Sequence, residues 1–506
     1  MKKIVVLGGG SAGWLTALLN RRFYPEADIT VVESEDIGIL GAGEGTVPHF
    51  IHVLDFLKIP ISDLIKHCQS TLKLGVRFTN WNNDGEDYFH GFAPYQSNKL
   101  GLDSFDHGFH ENVFSIKQLA DGKPIKDILI MEKLATAGKI PYIQTKVFSE
   151  DELEKLSSKL ESLDNYATYA MHFNARELAK FLRSVAESRN INRIEGKVNA
   201  IKTDNSGNIT TLILENNNTI PGDFFFDCSG FARVLIGKHY NTEWISYNKH
   251  LPLDSAVPFF IPHDNKNIKP ETESIAMKYG WIWKIPVQDR YGCGYVFDSS
   301  YINGDQALEE AEEYFEMKLQ SPKSFKFKAG SYKDTVVKNC MAVGLAQSFV
   351  EPLEATSIWV SCENLVKFLQ ANGPYCDSDL FRNKFNQGCQ DRNNEVVNFL
   401  YLHYLTNRTD SEFWKNFRTK TDIPEYTNEL LELWKVSTPG TYQDSKKYLF
   451  GLHSWIQIAD GLGLIDGRQS KLKIDANNLI GEIDLSNIQH VVDNSVTHDD
   501  FLEFLK

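Results

Sequence analysis

The sequence predicts an α/β fold in which a doubly wound parallel sheet is accompanied by a smaller antiparallel sheet and a mainly helical module. Three observations support this prediction. Short apolar runs at 4–7 and 29–32 flank a glycine-rich turn and a helical pattern. Two runs at 198–203 and 209–214 are separated by a polar turn, which indicates an antiparallel pair. From about residue 379, helical and aromatic-rich sequence replaces the strand patterns.

The glycine-rich turn carries a dinucleotide-binding fingerprint. Residues 8–13, GGGSAG, fit the pattern G-x-G-x-x-G between a strand and a helix. The first glycine allows the tight turn, the second lets backbone approach a pyrophosphate, and the third lets the helix and the strand pack closely. The free amides of the helix N-terminus favour the phosphates. Glu33, at the end of the second strand, is expected to bind ribose hydroxyls. An ordinary glycine turn would not require these flanking elements.

Composition excludes several kinds of partner and site. The chain has 506 residues, enough for more than one module, and a net charge of −14. This acidity argues against nucleic acid, which needs a basic stripe, and against an anionic membrane surface. The seven cysteines are scattered without a C-x-x-C motif, which predicts a reduced, cytoplasmic chain with no disulfide framework or metal site. No apolar run has the length of a membrane-spanning helix.

The segment 71–78 alternates between apolar and polar residues, which predicts a half-buried strand. Leu72 and Leu74 would face the core, whereas Lys73 would lie on the polar face, where lysines are usually solvated. The following stretch, 88–149, is rich in aromatic residues and glycine and has weak periodicity. It predicts an insertion of long loops of the kind that often bind ligands.

A second helix N-terminus is predicted near Thr356 and Ser357. A buried strand at 341–346 precedes it, and the helical pattern continues to the breaker at 372–374. Free amides at this helix start would bind an anion. The alternative is a helix capped by a hydroxyl of Thr356 or Ser357. Glu354 lies just before the start, where the helix dipole would stabilise its negative charge.

Two more strands end in, or contain, distinctive motifs. Residues 224–230 run from three phenylalanines into Asp-Cys-Ser-Gly, which is typical of backbone that approaches a cofactor. Residues 280–286 predict a strand with Trp281 and Trp283 on one face. The simple interpretation of these tryptophans is a pair of core aromatic residues.

Together these motifs resemble the flavin-dependent halogenases of the tryptophan-halogenase type. The resemblance extends from the start of the chain to about Trp455. Its motifs are GGGSAGW at 8–14, GEGTVP at 43–48, DCSGF at 227–231, GWIWKIP at 280–286 and EPLE at 351–354.

The resemblance implies a glutathione-reductase-like, FAD-binding domain that is discontinuous in sequence. The expected boundaries are an FAD-binding domain at 1–80 and 161–375, an insertion with substrate-facing loops at 81–160 and a helical substrate module at 376–506.

The resemblance also implies an enzyme that uses FAD as FADH2, together with O2 and a halide ion (chloride, bromide or iodide). A separate flavin reductase would supply FADH2. Hypohalous acid made at the flavin would travel to a lysine matching Lys73, which holds the halogen as a hydrogen-bonded acid or a haloamine. The acid matching Glu354 would orient the electrophile or take the ring proton. The expected substrate is a small electron-rich aromatic such as an indole, pyrrole or phenol.

The remaining site residues follow from the same resemblance. Backbone amides of Thr356 and Ser357 match the halide site, and Trp281 and Trp283 match a pair that keeps organic substrates away from the flavin. The family motif E-P-L-E-S-T-G has serine and glycine where this chain has Ala355 and Ser357. The expected cofactor-binding residues are Gly8, Gly10, Ser11, Ala12, Gly13, Glu33, Ser34, Ala42, Gly45, Leu345 and Ile358.

Two alternatives stand beside the halogenase. A flavin-dependent aromatic monooxygenase on the same fold would not need a lysine distant from the flavin. A non-catalytic binding scaffold is expected to lose the glycine turn, Glu33 or Lys73, and all are present. The halogenase is favoured because site residues, rather than the fold, decide the chemistry. The sequence leaves the oligomeric state open, including a homo-oligomer.

Overall fold

A computed structural model describes residues 2–37, 43–83, 85–92, 125–143, 169–263, 266–321, 323–437, 449–465 and 485–505. In this part of the chain the strands are β1 Lys3–Leu7, β2 Asp28–Glu33, β3 Glu44–Gly45, β4 Thr71–Lys73, β5 Gly75–Thr79, β6 Tyr88–Gly91, β7 Lys139–Ile143, β8 Ala170–Phe173, β9 Asn192–Glu195, β10 Val198–Thr203, β11 Ile209–Leu214, β12 Thr219–Pro221, β13 Phe224–Asp227, β14 Trp244–Ser246, β15 Ser255–Pro262, β16 Thr272–Met277, β17 Gly280–Val287, β18 Arg290–Phe297, β19 Phe325–Lys326, β20 Gly330–Tyr332, β21 Val336–Val337, β22 Cys340–Ala342, β23 Ser348–Phe349 and β24 Ser495–Thr497.

The helices of the same residues are α1 Ser11–Phe23, α2 His49–Phe56, α3 Ile61–His67, α4 Ile130–Thr136, α5 Ala175–Ser188, α6 Gly304–Phe315, α7 Ser357–Gln370, α8 Asp379–His403, α9 Glu412–Lys420, α10 Glu425–Trp434, α11 Leu452–Gly461, α12 Leu485–Asn494 and α13 His498–Leu505. A π-helical segment spans Val234–His239, and short 3-10 turns include Gly230–Ala232 and Gly344–Ala346. No helix of the described part is long and apolar enough to cross a membrane.

The chain forms two compact units, and each is discontinuous in sequence. The first comprises Met1–Gln69, Phe173–Asn248 and Lys328–Asn394. The second comprises Ser70–His172, Lys249–Phe327 and Glu395–Lys506. This division assigns the strands of 249–327 to the second unit, whereas the sequence-based boundaries grouped them with the FAD-binding domain. The functional assignment of the domains stays a prediction.

The first unit is built on a six-stranded sheet in the order β21-β22-β13-β1-β2-β9. Its five strands from β22 to β9 are parallel, and β21 pairs antiparallel with β22. Ile4, Val6 and Val31 are fully buried, as expected for parallel strands covered on both faces. Helices α5 and α7 pack against α1. The strands β10, β11 and β12 form the smaller antiparallel sheet that was predicted.

The second unit contains a seven-stranded sheet in the order β19-β15-β18-β17-β16-β5-β6. Its pairs are antiparallel except for the parallel pair of β16 and β5. Phe259, Ile282 and Tyr295 on one face pack into a core with Ala307 and Ala311 of α6. The small residues of α6 let the helix approach the sheet closely, so this face of the sheet is buried. Successive side chains along each strand point alternately to this face and to the opposite one.

The segment 71–78, predicted as one strand, forms the two strands β4 and β5. The prediction that Lys73 lies on a solvated polar face is also wrong. At the break, the Leu74 N–H donates to Pro270 O at 2.7 Å, and Leu74 O accepts the Phe92 N–H at 3.0 Å. Thr71 and Lys73 are fully buried. Local alternation leaves that face to solvent, but in the structure the Thr71 hydroxyl contacts His172 and Pro286, and the Lys73 amine lies over the Phe92 ring.

Candidate active site

The glycine turn after β1 has three differently constrained positions. Gly8 has a φ of +124°, and a Cβ added there would lie 2.2 Å from Cys228 O. A Cβ at Gly13 would lie 1.9 Å from Gly8 O. At Gly10 an added Cβ would meet no heavy atom of the described residues within 4 Å. Packing therefore demands the first and third glycines, and the second borders open space where backbone can receive a pyrophosphate.

Helix α1 begins directly at this turn. Gly10 occupies its N-cap position, and no side chain of the described residues caps the helix there. The first amides, at Ser11, Ala12 and Gly13, lie at the positive end of the helix dipole. The residues present thus fit the phosphates of FAD, and their role in binding stays a prediction.

Glu33 ends β2 and is held by arginines that the sequence reasoning did not identify. Its Oε1 accepts from Arg193 Nε at 2.5 Å and lies 3.7 Å from Arg183 Nη1. The carboxylate also lies against Gly9, where an added Cβ would overlap it. Arg193 is on β9, which pairs in parallel with β2. These contacts orient the Glu33 carboxylate. Arg193 could be identified as its partner only once the strand order was known.

A second loop of the first unit comes to the start of α1. An added Cβ at Gly344 would lie 2.8 Å from the Ala12 Cβ, so the 3-10 turn that contains Leu345 lies against the glycine turn. That turn and α1 both pack against α7, which carries Ile358 in its first turn. Three of the predicted FAD-contacting segments are therefore neighbours. Of the other predicted cofactor contacts, Ser34 directly follows β2, Gly45 ends β3, and Ala42 lies outside the described residues.

The Asp-Cys-Ser-Gly motif organises the backbone beside the glycine turn. The fully buried Asp227 carboxylate accepts from Ser229 N and Oγ at 3.1 and 2.6 Å. Its second oxygen accepts from the N–H groups of Leu235 and Ile236, both at 2.8 Å. Asp227 thus caps the π-helical segment, a conformation that no local sequence pattern indicated.

The Glu-Pro-Leu-Glu run leads into α7 through a tight turn. The Ala355 N–H donates to Pro352 O at 3.1 Å, and Ala355 has a φ of +55°. Such a left-handed conformation costs a non-glycine residue about 1 kcal/mol. Glu354 is fully buried. Thr356 is the N-cap of α7, but within the described residues its side chain makes no capping hydrogen bond. The Thr356 hydroxyl therefore does not cap α7, and the binding of a halide by the first amides of this helix stays a prediction.

Lys73 belongs to the second unit and is fully buried at the end of β4. Its Nζ lies 5.1 Å from the centre of the Phe92 ring, which gives it a cation–π contact. The imidazole of His172 is close enough for Lys73 to lower its pKa, in addition to the larger effect of burial. Fully buried lysines are rare because desolvation of an ammonium is costly, so such a residue indicates a functional role.

The two tryptophans of β17 share one face of the strand, as predicted. Their ring centroids are 6.4 Å apart in an edge-to-face arrangement. Trp281 is fully buried, whereas Trp283 is partly exposed. The Trp283 ring lies over Gly294, where an added Cβ would be 2.2 Å from it. The glycine on β18 thus provides the space that the indole occupies.

Comparison with known proteins decides the family. The model of the tryptophan halogenase family matches residues 3–477. The chain belongs to this family. A tryptophan 6-halogenase of Streptomyces toxytricini is 31% identical over 486 residues, covering 92% of this chain and 90% of the relative. A tryptophan 7-halogenase of Kutzneria sp. (strain 744) is 33% identical, covering 87% and 82%.

A solved structure supports the same assignment. The flavin-dependent halogenase BrvH from Brevundimonas sp. BAL3 superposes with a TM-score of 0.86 at 28% identity, covering 100% of this chain and 99% of that one. As a member of the tryptophan halogenase family, the chain is an enzyme that uses FADH2, a halide and O2 and depends on a separate flavin reductase. The family assignment therefore favours the halogenase over the monooxygenase and the scaffold.

Proposed function

We propose that this halogenase transfers oxidised halogen to an electron-rich aromatic ring through Lys73. The observation that carries the proposal is the complete burial of the Lys73 amine beside the Phe92 ring. When bound, FADH2 supplies electrons for the reduction of O2, and the reduced oxygen oxidises the halide to hypohalous acid. Lys73 either donates an N–H hydrogen bond to that acid or carries the halogen on its nitrogen.

The start of α7 is assigned to halide binding, and Glu354 to the step at the aromatic ring. The Thr356 and Ser357 amides bind the halide, since the helix dipole favours an anion there and no Thr356 hydroxyl competes as a cap within the described residues. The Glu354 side chain is buried just before the first residue of α7. It orients the electrophile or takes the proton that the ring loses on substitution.

The first unit holds the cofactor, and the tryptophans protect it. The amides at the start of α1 bind the FAD phosphates, and the Glu33 carboxylate, oriented by Arg193, binds the ribose. Trp281 and Trp283 keep organic substrates away from the flavin. The presence of these residues in the chain favours halogenation over oxygen insertion.

An indole is the first substrate to test. Curated relatives are described as tryptophan 6- and 7-halogenases, and halogenation by an electrophile requires an electron-rich ring. Pyrroles and phenols meet the same chemical requirement. We further expect no nucleic acid or membrane partner, given the net charge of −14, and a cytoplasmic location.

The decisive experiment compares the protein with a Lys73→Ala variant. Each is incubated with FAD, NADH, a generic flavin reductase and a panel of indoles, pyrroles and phenols, in chloride, bromide and iodide separately. Halogenated products are detected by mass spectrometry. We expect product from the parent and a loss of at least a thousandfold in the variant, with FAD affinity unchanged.

Lys58→Ala is the matched control, because Lys58 is an exposed lysine that pairs with Asp55 at 2.9 Å. It should retain parental activity. Retention of halogenation by Lys73→Ala would refute the role of this lysine. Oxygenated products from the parent would instead support monooxygenase chemistry.

A further inference from the structure

The strand that carries Lys73 receives a side-chain hydrogen bond from the far end of the sequence. The Leu72 N–H donates to His498 Nε2 at 3.0 Å, across 426 positions of the chain. The other ring nitrogen of His498 lies 2.8 Å from Ile268 O. An amide N–H can only donate and a carbonyl can only accept, so Nδ1 carries the proton and Nε2 the lone pair. The contacts define one neutral tautomer of His498.

His498 is itself anchored on both sides. His498 follows β24, which pairs antiparallel with β7. The backbone N–H of His498 donates to Gly138 O at 2.8 Å. The neighbouring Asp499 carboxylate accepts the N–H groups of Asn267 and Ile268. The segment 485–505 that provides these groups lies beyond residue 477, where the family match ends.

The hydrogen bond between the Leu72 N–H and His498 lies next to Lys73 in the chain and can therefore affect the position of its side chain. β4 pairs with β8 along one edge, so the Leu72 N–H at the other edge needs a separate acceptor. A neighbouring strand usually supplies such an acceptor, but here it is an imidazole. Leu72 precedes Lys73 directly, so a shift of the Leu72 backbone moves the base of the lysine side chain.

A second buried histidine holds the same strand on the Lys73 face. Thr71 Oγ1 donates to Pro286 O at 2.7 Å and therefore accepts from His172 Nδ1 at 3.0 Å. His172 Nε2 then accepts from Thr272 Oγ1 at 2.8 Å. Thr71 and Lys73 are two positions apart and share one face of β4. The relay ties this face to the strand that bears the two tryptophans.

We propose that His498 is a positioning residue, through which the C-terminal segment 485–505 sets the place of the Lys73 amine. The inference rests on the proposed function of Lys73. His172 supports the same strand from the adjacent side, and both histidines act in their neutral forms.

The surroundings of His498 and His172 favour the neutral form of each imidazole. Burial lowers the pKa of His498 to about 4, against the Asp499 carboxylate and the Ile268 carbonyl, which raise it. Burial, Lys73 and His498 together lower the pKa of His172. His498 therefore keeps its acceptor nitrogen at neutral pH. Protonation on acidification towards pH 4 would turn Nε2 into a donor facing the Leu72 N–H.

The test compares His498→Leu with His498→Gln by turnover and by hydrogen exchange of the peptide containing 71–75. Leucine removes the acceptor, so we expect kcat to fall at least tenfold and exchange at β4 to accelerate at least tenfold. Glutamine retains an acceptor and a donor on one planar group and should recover most of both. His490→Leu, an exposed histidine of the same segment, is the matched control and should change neither.

Asp499→Ala serves if His498→Leu does not fold, since it loosens the anchor of His498 and leaves the imidazole present. It should give a several-fold fall in kcat and faster exchange at β4. Unchanged exchange and unchanged kcat in a folded His498→Leu protein would overturn the proposal, as would glutamine behaving like leucine. Faster exchange without loss of activity would also overturn it. Failure of the role of Lys73 is separately visible in Lys73→Ala.

Discussion

Ser357 stands where the halogenase motif has glycine, and it is the first residue of α7. Its hydroxymethyl group occupies volume beside an amide of the proposed halide site. Ser357→Gly removes this group, so we expect the preference to shift several-fold from chloride towards the larger bromide. The measurement is the product ratio in equimolar chloride and bromide.

Ser361→Ala is the control for that substitution. Ser361 lies one turn further along α7, and its Oγ donates to Ser357 O at 2.7 Å. It should leave the halide ratio unchanged because its hydroxyl is bonded within the helix. A ratio that stays constant in Ser357→Gly would show that the side chain of residue 357 does not influence halide choice.

At the scale of elements, Asp227 links the end of β13 to the π-helical segment. Asp227→Asn replaces one of its oxygens by an NH2 group and leaves two of its donors without an acceptor. We expect the free energy of unfolding to fall by about 3 kcal/mol, because hydrogen bonds to a buried carboxylate are strong. Urea denaturation followed by circular dichroism measures this loss.

Asp223→Asn, four residues earlier, is the matched substitution. Asp223 is exposed, and its carboxylate accepts the Lys3 N–H at 2.7 Å. Its replacement should cost less than about 1 kcal/mol. Equal losses in the two variants would mean that the cap on the π-helical segment contributes little.

At the scale of the whole molecule, stability should depend on pH through Glu132, whose side chain is partly buried. Its Oε1 lies 3.5 Å from Arg77 Nη1, but Arg77 is already bound by both oxygens of Glu271. Burial raises the pKa of Glu132 to about 7, more than Arg77 lowers it. The native state therefore binds a proton that the unfolded chain releases above pH 4.5, and this contribution to stability is lost as pH rises towards 7.

Glu132→Gln imitates the protonated acid. We expect the variant to match the parent at pH 4.5 and to exceed its free energy of unfolding by about 2 kcal/mol at pH 8. The measurement is chemical denaturation at both pH values. Glu86→Gln, an exposed carboxylate paired with Lys126 at 2.6 Å, should not show this gain. A pH-independent difference for Glu132→Gln would contradict the assignment.

The spacing of apolar residues predicted strands and helices correctly where the buried face of the element is the face that this spacing marks. The strands and helix at the N-terminus, the pair β10 and β11 and the helix α7 all lie within a few residues of their predicted places. Their apolar spacing matches the face that the fold buries. At 71–78 the same rule misplaced Lys73, because the cover over its face comes from other parts of the chain.

By itself, the sequence determined the dinucleotide fingerprint and the family resemblance, and it predicted which residues have chemical roles, since these depend on residue type and short spacing. Tertiary structure alone decided that Lys73 is buried, that Arg193 holds Glu33, and that His498 accepts the Leu72 N–H. The physical reason is distance along the chain. Hydrogen bonds and burial depend on neighbours in space, and the partners that set these contacts lie 160 and 426 positions apart in sequence.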